Sequence, residues 1–397
     1  MWLTWLGCTP ERPLPPVVDP LDPGELHDAT SALTSIGPRQ VATQGEDAAR
    51  AWFEQRFAAL GLTSVVAEPF VFDAWRPGTA SVQVDREVPV EALSPSPAAD
   101  LIVPLRSSTE GFEGAAVLMS SGDGSRADAF LTAATGGAAA LIRVTEDIDF
   151  DGSPLVEVGH LLDGSTLPAV AVDRGTGDWL ESKLGEQVHL RIAPDVALDH
   201  TSYNVVGRIA GAGEAGRVYV VGHYDSWHPS ESAFDNALGA AAVERLAARA
   251  LATGVTPRKE LVFLATSGEE QGLRGAIAWV AAHEGEVGPA DLVLVLDVMW
   301  SGEGAYVALA TDDGLRTEAM SAAEAEGLEV VDGGQPGIGS DHVPFVGRGA
   351  SAVWLGRWPD RHYHTVADTI DALSFDEAAA ALATHWRLLA DHAGLPR

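Results

Sequence analysis

The sequence predicts a mixed α/β fold, a mostly parallel sheet flanked by helices, with a small β-rich insert ahead of its main part. Three observations carry that expectation. From Thr201 onward, short apolar runs rich in β-branched residues alternate with helical patterns and breakers, as in a sheet covered by helices on both faces. Between about residues 84 and 198 the composition shifts to short β segments, glycine turns and one alanine-rich helix. The chain has 397 residues, enough for two or three units at about 150 residues each. The expected divisions are a tail at 1–24, an N-terminal part of the main domain at 25–83, the insert at 84–198 and the remainder of the main domain at 199–397.

Taken in order, residues 1–24 read as tail and proline-rich linker. A helical pattern over 24–36 is broken by Gly37-Pro38-Arg39. Thr43-Gln44-Gly45-Glu46 has the form of a capping box, after which Ala49, Trp52, Phe53, Phe57 and Leu60 recur at helical spacing and Gly61 closes the helix. Those aromatics read as core. Residues 65–72 and 80–90 read as strands. In the insert, strands are expected at 114–119, 138–144 and 167–172, with a helix at 127–135, and no cluster of catalytic type. In the last part, strands are expected at 218–221, 261–265, 292–296, 306–310 and 352–355. Helices are expected at 237–251, 273–283, 314–325 and 375–393; Leu238, Ala242, Val243, Leu246 and Ala250 form the core stripe of the first of these.

A formal charge of −32 opposes binding to nucleic acid or to an anionic membrane surface. Lys183 and Lys259 are the only lysines. A single cysteine, Cys8, excludes an internal disulfide and a multi-cysteine zinc site. Cys8 follows the apolar start MWLTWLG and precedes ERPLPPVVDPLDPG, a layout that resembles the lipid-attachment signal and tether of bacterial lipoproteins. It departs from that signal in lacking a basic leading region and in its short apolar run. The expectation is an exported protein, periplasmic, outer-membrane-anchored or extracellular, with a possible lipid anchor at Cys8. No other run approaches the roughly 18 apolar residues of a membrane span.

The chemistry gathers where strands end. The run 218–221 delivers Gly222-His223-Tyr224-Asp225, and carboxyl ends of strands are where open α/β sheets bind ligands. Asp225, two residues on, is placed to accept the proton of the second ring nitrogen of His223. Asp235 follows at the mouth of a helix. After 261–265 comes Thr266-Ser267-Gly268-Glu269-Glu270-Gln271-Gly272, after 292–296 comes Asp297, and after 352–355 comes Tyr363-His364-Thr365 with Asp368-Thr369. Two histidines, three carboxylates and a spare glutamate on one sheet edge suit two zinc ions sharing one carboxylate, with room for a water between them.

In this order the motifs resemble the co-catalytic dizinc exopeptidases of family M28, which include bacterial leucyl aminopeptidases, carboxypeptidase Q and glutamate carboxypeptidase. The resemblance extends from Gly37-Pro38-Arg39 through Ser202-Tyr203-Asn204-Val205 to every metal motif, and it implies the zinc-peptidase, phosphorylase/hydrolase-like fold. The insert resembles the protease-associated domain, which implies a role in substrate access. By resemblance, His223, Asp235 and Asp297 hold one zinc, and Asp235, Glu270 and His364 the other. Glu269 is then the general base that takes the proton of the water and returns it to the leaving amine. Asp225, Asp341, His342 and Asp368 support the site, the middle pair within Ser340-Asp341-His342 followed by Pro344-Phe345. Two departures, Phe234 before the bridging aspartate and Leu238 before the next glycine, concern packing and remove no ligand.

The expected activity is that of a metallo-aminopeptidase acting on peptide substrates. A carboxypeptidase or dipeptidase of the carboxypeptidase Q type is the alternative, since residues 222–235 also match its His-x-Asp-Ser-Trp pattern. A non-catalytic binding module on the same fold is the alternative from another class; a zinc amidase fits the chemistry but not Tyr363-His364-Thr365 with Asp368-Thr369. His27, His160, His189, His200, His283, His385 and His392 read as surface or packing residues. His228 and His362 flank the motifs, and Arg357 and Arg361 read as solvated loop cations rather than a clamp for a substrate carboxylate.

Overall fold

A computed structural model describes residues 19–145, 153, 155–157, 166–227, 230–337 and 339–397. Cys8, His160 and His228, and the expectations attached to them, lie outside the described residues. The chain opens with helices α1 (Pro23–Thr34) and α2 (Gln44–Leu60), followed by strands β1 (Thr63–Gln83), β2 (Glu87–Ala92), β3 (Ala99–Ser107) and β4 (Ala116–Met119). Helix α3 (Arg126–Thr135), strands β5 (Ala140–Val144) and β6 (Ala169–Val172), helix α4 (Arg174–Glu181) and strand β7 (Gln187–Ile209) complete the first half. The second half runs β8 (Arg217–His223), α5 (Leu238–Ala252), β9 (Glu260–Thr266), α6 (Arg274–Ala282), β10 (Leu292–Val295), β11 (Ala305–Ala310) and α7 (Asp313–Ala325). It ends with β12 (Val330–Gly334), the short α8 (Val343–Val346), β13 (Ser351–Trp358) and α9 (Phe375–Ala393).

The strands form one sheet in the order β1-β2-β6-β5-β4-β3-β7-β9-β8-β10-β13-β11-β12, with β1 also paired to β7. Strands β9, β8, β10 and β13 are parallel neighbours at its centre. Their registers align Val221 with Leu264 and with Val295, and Val295 with Trp354, so their carboxyl ends share one edge. Antiparallel pairs flank this centre, β7 on β9 and β11 on β13.

Alternation along the central strands gives the sheet two apolar faces. On β8, Val218 and Val220 pack into the core formed with α1, α2, α5, α7 and α9, while Tyr219 and Val221 pack into the core that includes α6 and Phe345 of α8. The expected stripe Leu238, Ala242, Val243, Leu246 and Ala250 belongs to the first core, as do Ala49, Phe53 and Phe57. Each fully buried Val, Leu or Phe there contributes about 1.5–3 kcal/mol relative to exposure.

The pairings β1-β2-β6-β5-β4-β3-β7-β1 close into a ring around a separate core of Val82, Leu105, Ile142, Val170, Val188 and Leu190. The strands expected at 65–72 and 80–90 are instead one long β1 and a separate β2. Irregularities at Phe72/Ala74 and Arg76/Thr79 absorb the Pro77-Gly78 pair without ending β1. The capping box is half formed. Thr43 Oγ1 accepts the Glu46 N–H at 3.4 Å, but the Glu46 carboxylate turns inward, accepting from Ala42 N at 2.7 Å and from the hydroxyls of Ser202 and Ser267. Two serine donors and the Ala42 amide take that carboxylate in place of the cap N–H. Among the described residues no helix is long and apolar enough to cross a membrane.

Candidate active site

Each central strand ends in a residue of the site. Strand β8 ends at His223, β9 leads through Ser267 and Gly268 to Glu269 and Glu270, β10 precedes Asp297, and the loop after β13 carries His364. Asp235 sits in a single irregular turn, 233–237, that opens into α5. Asn236 fixes that turn by donating to the Leu296 carbonyl at 2.8 Å and accepting from Gly239 N at 3.1 Å. Gly239 is required there, because a Cβ would lie 2.2 Å from both Asn236 Oδ1 and the Leu296 carbonyl. Backbone in the left-handed region recurs at Ser232 (φ 50°), Val298 (φ 45°) and His364 (φ 55°), each beside or at a site residue. Non-glycine residues held this way mark sites whose geometry the surrounding structure enforces.

The five expected ligands converge as two groups that share one member. His223, Asp235 and Asp297 offer ligand atoms within 4.8 Å of one another, and so do Asp235, Glu270 and His364. His223 Nε2 lies 3.1 Å from Asp235 Oδ1 and 3.4 Å from Asp297 Oδ1. His364 Nε2 lies 3.0 Å from Asp235 Oδ2 and 3.1 Å from Glu270 Oε2. The two oxygens of Asp235 therefore face the two imidazoles separately. Glu269 belongs to neither group, its Oε2 lying 3.9 Å from His223 Nε2.

The donor set fits zinc. Two imidazole nitrogens and three carboxylates, all buried, match its nitrogen and oxygen preferences. Moreover, His223 Nε2 and Glu270 Oε1 are buried without a hydrogen-bond partner, a costly state unless something else engages them.

The supporting residues are placed less uniformly than the sequence suggests. The ring of His223 donates from Nδ1 to the backbone carbonyl of Asp225 at 3.2 Å, while the Asp225 carboxylate is 3.5 Å from that nitrogen. The carboxylate also accepts the N–H groups of Glu269 at 3.2 Å and Glu270 at 3.3 Å. Strand β8 ends at His223, and the Asp225 side chain beyond it meets both the imidazole and the β9 loop. Asp368 accepts from Phe234 N at 2.7 Å and Asp235 N at 3.0 Å, holding the bridging aspartate by its backbone. Asp341 accepts from Thr266 Oγ1 beneath the β9 loop, and His342 Nε2 donates to the Gly337 carbonyl at 3.1 Å. Neither lies in a ligand group.

Burial governs the protonation of these groups. It pushes Glu269 well above the usual carboxylate range, reinforced by Asp297, Glu270 and Asp341 and opposed by His223. Burial with the neighbouring Asp235 takes Glu270 up to about 7. Burial also raises Asp341 and Asp368 to about 7. For Asp235 the same burial is outweighed by the two imidazoles facing its oxygens, which hold it below the ordinary range. Burial disfavours the charged form of His364, but Glu270 and Asp235 overcome it and raise the ring to about 10.

A cavity of about 310 Å3 opens beside this edge. Asp235, Glu269 and Asp297 line one end, and Val298, Leu309, Trp354, Trp358 and Tyr363 line the apolar remainder. Leu309 and Trp354 are paired across β11 and β13, and Trp354 packs in the space left by Gly356, where a Cβ would lie 2.4 Å from its ring. No lysine or arginine lines the cavity among the described residues. Arg357 lies over the Trp300 ring at 4.2 Å, and Arg361 is paired with Glu303 at 2.7 and 2.8 Å, so both cations are engaged away from it. His362 is buried close by, and the other described histidines stand outside the two groups.

Several contributors were given no place in the site by the reading of the sequence. Trp227 stacks on His364 (5.9 Å between centroids) and on Trp75 of β1 (6.5 Å). Gln271, beside Glu270, accepts from Trp75 N at 2.9 Å and donates back to its carbonyl. Glu46 holds Ser267 at 2.7 Å. Buried Arg39 binds the loop after β8. The paired tryptophans and the Gly37-Pro38-Arg39 break were visible signals, but their partners were not.

Residues 204–389 match the model of peptidase family M28. Carboxypeptidase Q of Xenopus laevis is 33% identical over 101 residues, 25% of this chain and 22% of that protein, and the Rattus norvegicus protein of that name is 29% identical over 111 residues. The chain thus aligns with about a quarter of the length of these curated relatives. Among solved structures, a zinc aminopeptidase from Bacillus subtilis superposes with a TM-score of 0.76 at 23% identity, covering 94% of this chain and 95% of the other. A peptidase M28 precursor from Shewanella amazonensis gives 0.75 at 21% identity, with 94% and 95% covered. These two likenesses show the same mixed α/β fold over nearly the full length.

Proposed function

We propose, from the premise that the chain belongs through residues 204–389 to peptidase family M28, that it is a zinc-dependent aminopeptidase releasing N-terminal residues from peptides. The observation that carries this reading is the pair of buried ligand groups sharing Asp235, with Glu269 alongside but outside both. His223, Asp235 and Asp297 would hold one zinc, and Asp235, Glu270 and His364 a second. Zinc so held would polarise the scissile carbonyl and bring the pKa of a water to about 7. Glu269 Oε2 takes the proton of the attacking water and passes it to the leaving amine. Asp225 keeps Glu269 and Glu270 in place through their N–H groups, and Asp368 does so for Asp235.

The acidic end of the cavity and its lack of a cation favour a substrate that presents an ammonium there rather than a carboxylate. The apolar end fits the side chain of that terminal residue. Hydrolysis of free-amine aminoacyl amides, compared with N-blocked peptides, tests the assignment, and activity confined to blocked peptides overturns it. That outcome would favour the second reading, a carboxypeptidase or dipeptidase, which draws on the carboxypeptidase Q likeness and on His223-Tyr224-Asp225-Ser226-Trp227.

Two further assignments rest on sequence. The insert, whose core is shared by Trp75 of β1 and by Trp227 stacked on His364, would control substrate access. Export with lipid attachment at Cys8 is proposed from the resemblance of the opening segment to a lipoprotein signal, and incorporation of labelled fatty acid, lost in Cys8→Ala, checks it.

A further inference from the structure

Arg39 lies in neither ligand group and does not line the cavity, yet it is fully buried at 0% exposure. Burying a guanidinium costs several kcal/mol unless its donors are satisfied. Arg39 meets that cost without an ion pair among the described residues. Nε donates to the Tyr224 carbonyl at 2.9 Å, Nη1 to the Glu231 carbonyl at 2.7 Å, and Nη2 to the Ser232 carbonyl at 2.9 Å. Its backbone N–H adds a bond to Ser226 Oγ at 2.7 Å.

These acceptors belong to two stretches with different tasks. Tyr224 and Ser226 follow His223 as the chain leaves β8, while Glu231 and Ser232 precede Asp235. The guanidinium joins the two. Ser232 is itself in the left-handed region (φ 50°), and its N–H is held by Ser230 Oγ at 2.8 Å, so the approach to Asp235 needs an outside anchor. Burial disfavours the charge of the guanidinium, and Asp368, Asp225, Asp235 and Glu270 offset part of that cost.

We propose that Arg39 is a positioning residue for the metal site. By binding three carbonyls on both sides of the loop, it fixes His223 opposite Asp235 and preassembles the aspartate that both ligand groups share. The inference rests on the zinc reading above. A planar fork reaching three separate carbonyls cannot be reproduced by the compact ammonium of lysine, although the charge is kept.

The test uses the full chain and compares wild type with Arg39→Lys. The readouts are zinc stoichiometry and affinity by chelator competition, melting of the zinc-free proteins, and KM with kcat under saturating zinc. Arg39→Lys is expected to bind zinc about 10–100-fold more weakly, as for other groups that orient ligands, with KM changed by less than about threefold. Lower melting with unchanged zinc affinity is what a merely structural arginine gives, and it overturns the inference. Should Arg39→Lys fail to fold, Ser226→Ala, which removes one anchor of the same clamp, is read instead. Weaker zinc binding at unaltered melting then supports the inference, and unaltered zinc binding overturns it. Wild-type protein that binds no zinc overturns the zinc reading and this inference together, whereas tight wild-type binding matched by the variants overturns the inference alone.

Discussion

Replacing Glu269 with glutamine separates proton transfer from every other property of the site. The two side chains have nearly the same shape, and Glu269 is in neither ligand group, so Glu269→Gln should leave the fold and the zinc content intact. What it removes is an acceptor 3.9 Å from His223 Nε2, with 12% of its side chain exposed and held above the ordinary carboxylate range chiefly by its desolvation. A raised pKa brings a carboxylate closer to the operating pH, where it both accepts and returns a proton effectively. Positioned general bases contribute about 100- to 10,000-fold, which is about 2.7–5.4 kcal/mol of transition-state stabilisation at 1.36 kcal/mol per tenfold. Hydrolysis of an aminoacyl amide at saturating zinc is therefore expected to lose at least about 100-fold in kcat, with KM within about threefold. A Glu269→Gln enzyme that keeps more than a tenth of wild-type kcat at equal zinc content refutes the role assigned to this residue.

Asp225→Asn should weaken zinc binding about 10–100-fold, because a neutral amide replaces the carboxylate that accepts both Glu269 and Glu270 N–H groups; chelator competition with affinity equal to wild type would count against it. Trp354→Ala should narrow the discrimination between large and small apolar N-terminal residues by about 1–3 kcal/mol, read as the ratio of kcat/KM for leucyl and alanyl substrates; an unchanged ratio would place the side-chain pocket elsewhere. His385 is fully buried, donates from Nδ1 to the Ala381 carbonyl at 2.8 Å and is pushed by burial down to about 4. The unfolded chain takes up a proton near 6.5 that the folded chain refuses until about 4, so stability falls as pH drops through that window, by up to about 3 kcal/mol. Denaturant titrations at pH 7.5 and pH 4.5 should show that pH-dependent loss reduced in His385→Leu, and equal losses in the two proteins would contradict it.

The sequence exposed the central strands because each is a short β-branched run bounded by breakers, and it exposed His223, Glu270 and Asp297 because each stands at or just after the end of such a run. β7 was harder to read. Its 23 residues alternate at the start, are mostly exposed in the middle and are continuously buried only over 204–207, since its first part pairs with β3 and its last with the central sheet. β12 is exposed over most of its length and ends in Gly333-Gly334, which reads as a turn. Contacts across long separations were beyond reach. Arg39 meets partners 185 to 193 residues away, and Glu46 meets Ser267 across 221. No local pattern signals that a buried charge will be satisfied by carbonyls brought together only by the completed sheet. The same limit applies to Asp225, whose carboxylate faces His223 Nδ1 at 3.5 Å as alternation suggested, but whose bonds to the Glu269 and Glu270 N–H groups depend on the neighbouring loop.

The central claim is that two zinc ions share Asp235, and anomalous diffraction at the zinc edge from crystals of the zinc-loaded chain tests it most directly. The account predicts two peaks per chain, one at about 2.0–2.2 Å from donor atoms of His223, Asp235 and Asp297, the other equally near Asp235, Glu270 and His364. A single peak, or a pair that leaves Asp235 uncoordinated, would contradict it.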